Sequence, residues 1–231
     1  SFGERLGYDY KQIKAVGIGG LLHDIGKVKI PNEILNKPGP LTEKEFAIMK
    51  KHVHHGCCML QDSTQIEQES VCITTHHHER LDGTGYPAAL KGDEISVFGQ
   101  LAAIVDIYDA LTSERCYKHA MPPTEALKKI FEWSPAYLNR NLAEQFIAHL
   151  GIYPIGAVVR LASGLIGVVV DHGENSLLYP TVRAVFDAQA HKRVDPFDIN
   201  LSKPPVGGHS DRIVACESPA KYKINFLAHL S

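Results

Sequence analysis

The feature that most constrains this chain is the placement of its histidines. Seven of the thirteen fall between residues 23 and 78, in three clusters at His23, at His52 to His55 and at His76 to His78. Each cluster lies on or at the end of a segment with helical apolar spacing, and Asp106 follows on a fourth. Polar side chains converging from several helices can hold two or more divalent ions inside a bundle.

The helical segments are readable one by one. Residues 10–25 read as a helix with Ile13, Val16, Gly20 and Leu21 on one face and Gly26 suited to ending it, so His23 and Asp24 fall in its last turn. Three prolines from Pro31 to Pro40 read as a loop, after which Thr42 and Glu45 make a capping box. Phe46, Met49, Val53, Gly56 and Leu60 then recur at helical steps, giving a core stripe beside His52. A third segment is expected to end near His76–Glu79, before a glycine-rich loop at 82–87. Val97, Leu101, Ile104, Tyr108 and Leu111 form the cleanest amphipathic stripe, with Asp106 and Asp109 on another face. Pro122-Pro123-Thr124 starts a helix to about Trp133, and one more ends at Leu150-Gly151.

From Tyr153 the texture changes. Val158–Leu161 and Leu165–Val170 are short β-branched runs around Ser163-Gly164, a hairpin signal, and Thr181–Phe186 and Arg212–Cys216 are further strand candidates. The segment at 203–209 reads as an irregular loop. The expected architecture is therefore mainly α, a helical bundle carrying a metal centre over residues 1–151, followed by a small β-rich extension over 152–231.

Composition narrows the function classes. A hydrophobic fraction of 44% and a charged fraction of 22% are those of ordinary soluble proteins. No apolar run approaches the ~20 residues that span a bilayer, and the first residues show no signal-peptide pattern. A formal net charge of −2 argues against a nucleic-acid polymer as partner. Five cysteines without a CxxC pair argue against a disulfide framework and for a reducing cytoplasm. Because the apolar pattern begins almost at Ser1, a preceding segment of a longer protein is expected.

Mixed imidazole and carboxylate ligands without nearby cysteine pairs suit iron, manganese, nickel or zinc better than magnesium or calcium. One carboxylate, Asp24, has two oxygens with which to bridge two ions, and such a pair can activate water for displacement at phosphorus. A His-Asp pair buried at a helix end is costly without a partner, so His23 and Asp24 are candidates on their own. His54, His55 and His76 each neighbour a better candidate and are read as structural or solvated. The same reading holds for His119, His149, His172, His191, His209 and His229.

The HDIGK at 23–27, HHE at 77–79, DGTGYP at 82–87 and DIYDALTSERCYK at 106–118 resemble, in order and spacing, the HD-GYP branch of the HD phosphohydrolase superfamily over residues ~10–150. The resemblance implies a bacterial, all-helical domain using two or three metal ions, iron or manganese in the first place, with the zinc or nickel that the ligand types also suit as further candidates. It implies hydrolysis of cyclic di-GMP to pGpG and on to GMP by metal-activated hydroxide attack. It also implies metal ligation by His23, Asp24, His52, His77, His78 and Asp106, with Asp24 bridging and Lys27 facing phosphate as a catalytic residue. Tyr86 is then a substrate-side residue offering a ring to guanine or a hydroxyl to phosphate. Arg115 and Lys118 resemble the family's ligand-binding pair, with Asp109 orienting Arg115 or accepting from a guanine. The GYP loop is implied as a contact for diguanylate cyclase domains, and homodimerisation is a further expectation.

The chain departs from the family pattern at Cys116, where proline is usual, and at His52-Val53, where His-Pro is commoner; neither removes a ligand. Some members draw a Glu and a His from a helix about thirty residues before the HD pair, whereas 22 residues precede His23 here. The alternatives to a cyclic di-GMP phosphodiesterase are an HD hydrolase of another cyclic dinucleotide and a catalytically weak cyclic di-GMP receptor.

Overall fold

The computed structural model describes residues 2–61, 63, 65–113, 120–172, 179–203, 211–222 and 225–230. The chain divides into two compact units, residues 1–120 with 129–146 and residues 121–128 with 147–231.

The first unit is helical: α1 (Phe2–Arg5), α2 (Tyr10–Leu22), α3 (Asn32–Leu35), α4 (Glu43–Met49), α5 (Lys51–Gln61), α6 (Gln68–His76) and α7 (Val97–Thr112). α8 (Pro123–Trp133) and α9 (Arg140–Leu150) follow. Asp9 and Thr42 open α2 and α4 with capping boxes, as the Thr42–Glu45 spacing predicts. α6 runs between α2 and α7, where Val71, Ile73, Ala15, Leu101 and Ile104 are buried. The α2–α6 approach is close enough that a Cβ on Gly19 would sit 2.7 Å from Ile73, and buried Ser70 donates its hydroxyl to the Ala15 carbonyl at 2.7 Å.

Three sequence expectations need correction. The first helix stops at Leu22, with His23 as its cap, and a 3-10 turn over Ile25–Lys29 takes over. Gly26 therefore lies inside that turn, where its lack of a side chain serves close packing. The stripe from Phe46 to Leu60 is two helices broken at Lys50, and Phe46 is 45% exposed while Val53 and Leu60 are buried. Leu21, assigned to the apolar face, is 86% exposed.

The second unit carries an antiparallel sheet in the order β4-β3-β2-β1-β5. Its strands are β1 (Val158–Leu161), β2 (Leu165–Asp171), β3 (Thr181–Asp187), β4 (Lys192–Asn200) and β5 (Ile213–Cys216). Gly164, at φ 89°, makes the turn between β1 and β2. Period-two alternation buries Val159, Leu161, Val169 and Val182 in one cluster and Val158, Ile166, Val168 and Val185 in another. β4 went unread because its sequence, KRVDPFDIN, is polar and contains Pro196. Those are the traits of an edge strand, and the order places it at the sheet's edge, paired with β3 alone. Arg183 and Asp198, opposite each other in that register, form an ion pair at 2.7 Å. Among the described residues no helix is long and apolar enough to cross a membrane.

Candidate metal centre

Four elements of the helical unit bring the polar groups together. α2 ends at Leu22, leaving His23 and Asp24 at its C-terminal end, and the 3-10 turn that follows packs onto α5. A Cβ on Gly26 would lie 1.9 Å from the His52 carbonyl oxygen, so only glycine allows this approach. His52 is buried on α5, His77 caps α6 with His78 next to it, and Asp106 faces in from α7. Donor atoms of Asp24, His52, His77 and His78 lie within 4.8 Å of one another.

Backbone carbonyls fix the imidazoles. Nδ1 of His23 bonds the Gly20 carbonyl at 2.7 Å, that of His52 the Met49 carbonyl at 2.7 Å, and that of His77 the Thr74 carbonyl at 3.0 Å. Each carbonyl can only accept, so Nδ1 carries the proton and the Nε2 lone pair is directed to the centre. His52 Nε2 lies 3.3 Å and His77 Nε2 4.0 Å from Asp24 Oδ1. The other oxygen, Oδ2, faces His23 Nε2 at 3.2 Å and Lys27 Nζ. Asp106 spans the far side, 3.8 Å from His23 Nε2 through Oδ1 and 3.8 Å from His78 Nδ1 through Oδ2.

Asp24 Oδ1, His52 Nε2 and His77 Nε2 are buried without any hydrogen-bond partner among the described residues. Three orphaned acceptors facing one another would be expensive in a protein that left them so. A divalent cation satisfies all three at once, and the donor set fits one.

The electrostatics favour the same species. Burial, reinforced by neighbouring imidazoles, lowers His77 to about 3 and His78 to about 2, so both are neutral at ordinary pH. Burial pushes the Asp24 carboxyl upward, but the nearby imidazoles of His23 and His52 and the ammonium of Lys27 together outweigh it and hold the group well below the usual carboxylate range. The hydrogen bond to Asp24 raises His23. Burial raises Asp106. Neutral imidazole beside an anionic carboxylate is the protonation state in which both ligate; His77, His78 and Asp24 are held in it, whereas His23 and Asp106 are shifted toward their protonated forms and must give up protons to ligate.

Residues 1–141 match the HD domain family. This chain belongs to the HD domain family. Cyclic di-GMP phosphodiesterase PA4108 of Pseudomonas aeruginosa is 41% identical over 205 residues, 89% of this chain and 49% of that protein. The 3'3'-cGAMP-specific phosphodiesterase 2 of Vibrio cholerae serotype O1 is 40% identical over 129 residues, 55% of this chain and 25% of that protein. Among solved structures, Bd1817, an HDG"Y"P protein from Bdellovibrio bacteriovorus, shares the fold with a TM-score of 0.53 at 24% identity, over 64% of this chain and 47% of that one. The chain thus spans about half or less of the length of these relatives.

The loop after the HD domain's HHE segment is anchored by a residue that sequence reasoning left without a role. Glu79 is 2% exposed, and its carboxylate accepts the backbone N–H of Ala88 at 2.8 Å and of Leu90 at 3.1 Å. Gly85 lies against the Glu79 backbone, with room for no Cβ. The Tyr86 N–H donates to the His78 carbonyl at 3.2 Å, and the Tyr86 ring sits 4.6 Å from the His78 ring. Arg80, also unassigned, donates to the carbonyls of His77 and Glu79 and carries its charge toward Asp106 and Tyr86. Glu79 stands in the HHE motif and Arg80 directly after it, but the sequence pointed to a role for neither.

The remaining expectations fall out individually. Lys27 is paired with Asp24. Asp109 is exposed on α7 and accepts from the Ser113 hydroxyl at 3.0 Å. Arg115, Lys118, Cys116, His119 and His209 lie outside the described residues. His76 accepts the N–H of Ser96, which caps α7. His54 lies 3.6 Å from Cys58, at an exposed position.

Proposed function

We propose that this chain is a metal-dependent phosphodiesterase that opens a cyclic dinucleotide, with cyclic di-GMP as its substrate and pGpG or GMP as product. The single observation that carries the reading is the convergence of three orphaned, buried acceptors, on Asp24, His52 and His77, at one point. The names of its relatives in Pseudomonas aeruginosa and Vibrio cholerae supply the substrate class.

Asp24 supports a bridging role, because its two oxygens face different groups: Oδ1 toward His52 and His77, Oδ2 toward His23 and Lys27. His23, Asp106 and His78 would complete the ligand set. Divalent ions held there, iron or manganese in a reducing cytoplasm, would supply Lewis-acid activation of water and neutralise charge on the phosphate. The protein's own groups do the rest. Neutral His77 and His78 add no charge that would compete with the ions. Lys27, held beside Asp24, offers its ammonium to a phosphate oxygen as charge develops there. Tyr86 provides an aromatic wall at the edge of the centre, on which a base stacks.

The test is turnover. Protein purified without oxygen and loaded with Mn²⁺ or Fe²⁺ should linearise cyclic di-GMP, and the Asp24→Ala variant should not. A 3'3'-cGAMP rate above the cyclic di-GMP rate would move the substrate assignment to the hybrid dinucleotide. Tight binding of cyclic di-GMP without metal-dependent product would overturn the enzyme reading in favour of a receptor.

A further inference from the structure

The rim of the metal centre carries a cation that the reading above does not use. Lys50 lies at the break between α4 and α5, two residues before His52, and its N–H is satisfied by the Phe46 carbonyl. The four-residue step from Phe46 sets its side chain over that ring. Its ammonium stands 5.2 Å from the Phe46 ring centre and 5.7 Å from the Tyr86 ring centre. The two rings meet edge to face at 6.0 Å, and Tyr86 leads on to His78 at 4.6 Å. The ammonium is thus two short steps from the metal ligands.

Lys14, Lys29, Lys44 and Lys51 also have no ion pair among the described residues, but of the lysines of this region it is Lys50 that stands over two aromatic rings at the rim. Lys11, Lys27 and Lys37 each pair with a carboxylate, on Glu67, Asp24 and Glu45. Among the described residues no carboxylate faces Lys50. Aromatic faces hold an ammonium in place without cancelling its charge. A positioned, uncompensated cation beside an anion-processing centre is suited to an anionic oxygen of the substrate.

We infer that Lys50 is a substrate-positioning residue that binds the non-reacting phosphate of a cyclic dinucleotide while the other phosphate occupies the metal centre. The inference rests on the phosphodiester reading above. It explains how the centre could favour substrates with two phosphodiesters over simple diesters, since the second phosphate would find a fixed cation at the Phe46–Tyr86 rim.

The experiment compares wild type, Lys50→Met and Lys50→Arg on two substrates, cyclic di-GMP and bis(4-nitrophenyl) phosphate, which has a single phosphate. Loss of one charge-assisted contact should raise KM for cyclic di-GMP about tenfold or more, well beyond any change for the simple diester. The KM of wild type should climb more steeply with salt than that of Lys50→Met, and Lys50→Arg should recover most of the loss. Equal losses on both substrates, or an unchanged KM for cyclic di-GMP, would overturn the inference. Wild type that cleaves the simple diester but no cyclic dinucleotide would instead sink the substrate reading, before any Lys50 variant is compared, and this inference with it.

Discussion

Glu79 accepts the backbone N–H of Ala88 at 2.8 Å, reaching nine residues along the chain to fasten the far end of the loop that carries Tyr86. Its second oxygen takes Leu90, so one buried side chain closes the loop on itself. Glu79→Ala removes both acceptors and leaves a cavity, and should cost about 2 kcal/mol or more of stability in urea unfolding. Amide exchange at Ala88 and Leu90 should accelerate in step. Unchanged exchange at both amides would show that the loop is held by something else.

The helices were legible because burial on one face writes a 3.6-residue period, and a candidate cluster of polar side chains because histidine and aspartate are rarely so dense without a purpose. What failed was local. Nothing in the periodicity distinguishes one helix from two that turn at Lys50, since the buried positions Val53 and Leu60 continue the rhythm begun by Phe46. Nor does a sequence separate a glycine needed for positive φ from one needed for proximity; Gly26 is of the second kind. The strap by Glu79 is a long-range pairing of a side chain with backbone, which leaves no periodic trace. β4 was lost because an edge strand is polar by necessity.

Metal should stabilise the fold whether or not turnover occurs, since the buried atoms of Asp24, His52 and His77 have no hydrogen-bond partner among the described residues. Mn²⁺ at about a hundred times its dissociation constant should add about 2.7 kcal/mol, a rise in melting temperature of about 5–10 °C. Chelator should reverse it. Asp24→Asn, which withdraws the charge facing His23, His52 and Lys27, should abolish the metal-dependent rise. A variant that keeps the full response would remove Asp24 from the ligand set.

Gly26 and Gly17 make a paired test of why this chain uses glycine. A Cβ on Gly26 would meet the His52 carbonyl oxygen at 1.9 Å and the Gly56 nitrogen at 2.5 Å, both rigid backbone. Gly26→Ala should therefore cost about 3 kcal/mol or more and weaken metal binding by moving Asp24 away from His52. Gly17, on α2, has nothing within 4 Å of its Cβ position, so Gly17→Ala should stabilise by about 0.5–1 kcal/mol through helix propensity. Thermal unfolding of the two variants should move in opposite directions; equal small shifts would refute the close-packing role of Gly26.

Over about pH 5–8, where histidine charge decides, the metal-free protein should have a stability maximum set by opposed histidines. His23 is raised above its ordinary 6.5 by its hydrogen bond to Asp24. Its stabilising contribution is fully present below 6.5 and is lost as pH rises through the raised value. His77 and His78 are lowered by burial to about 3 and about 2. Below 6.5 the unfolded chain takes up protons at these two positions while the folded protein does not, so stability falls as pH drops. The maximum should lie near the ordinary histidine value, and His23→Gln should flatten the alkaline limb while leaving the acid limb in place. Metal binding adds a second readout, because an ion at His23 must displace the proton that Asp24 favours. Calorimetry in two buffers of different ionisation enthalpy should therefore show proton release that fades as pH passes above the raised value of His23, with affinity rising over the same window. Proton release that persists in His23→Gln would assign the titration to another group.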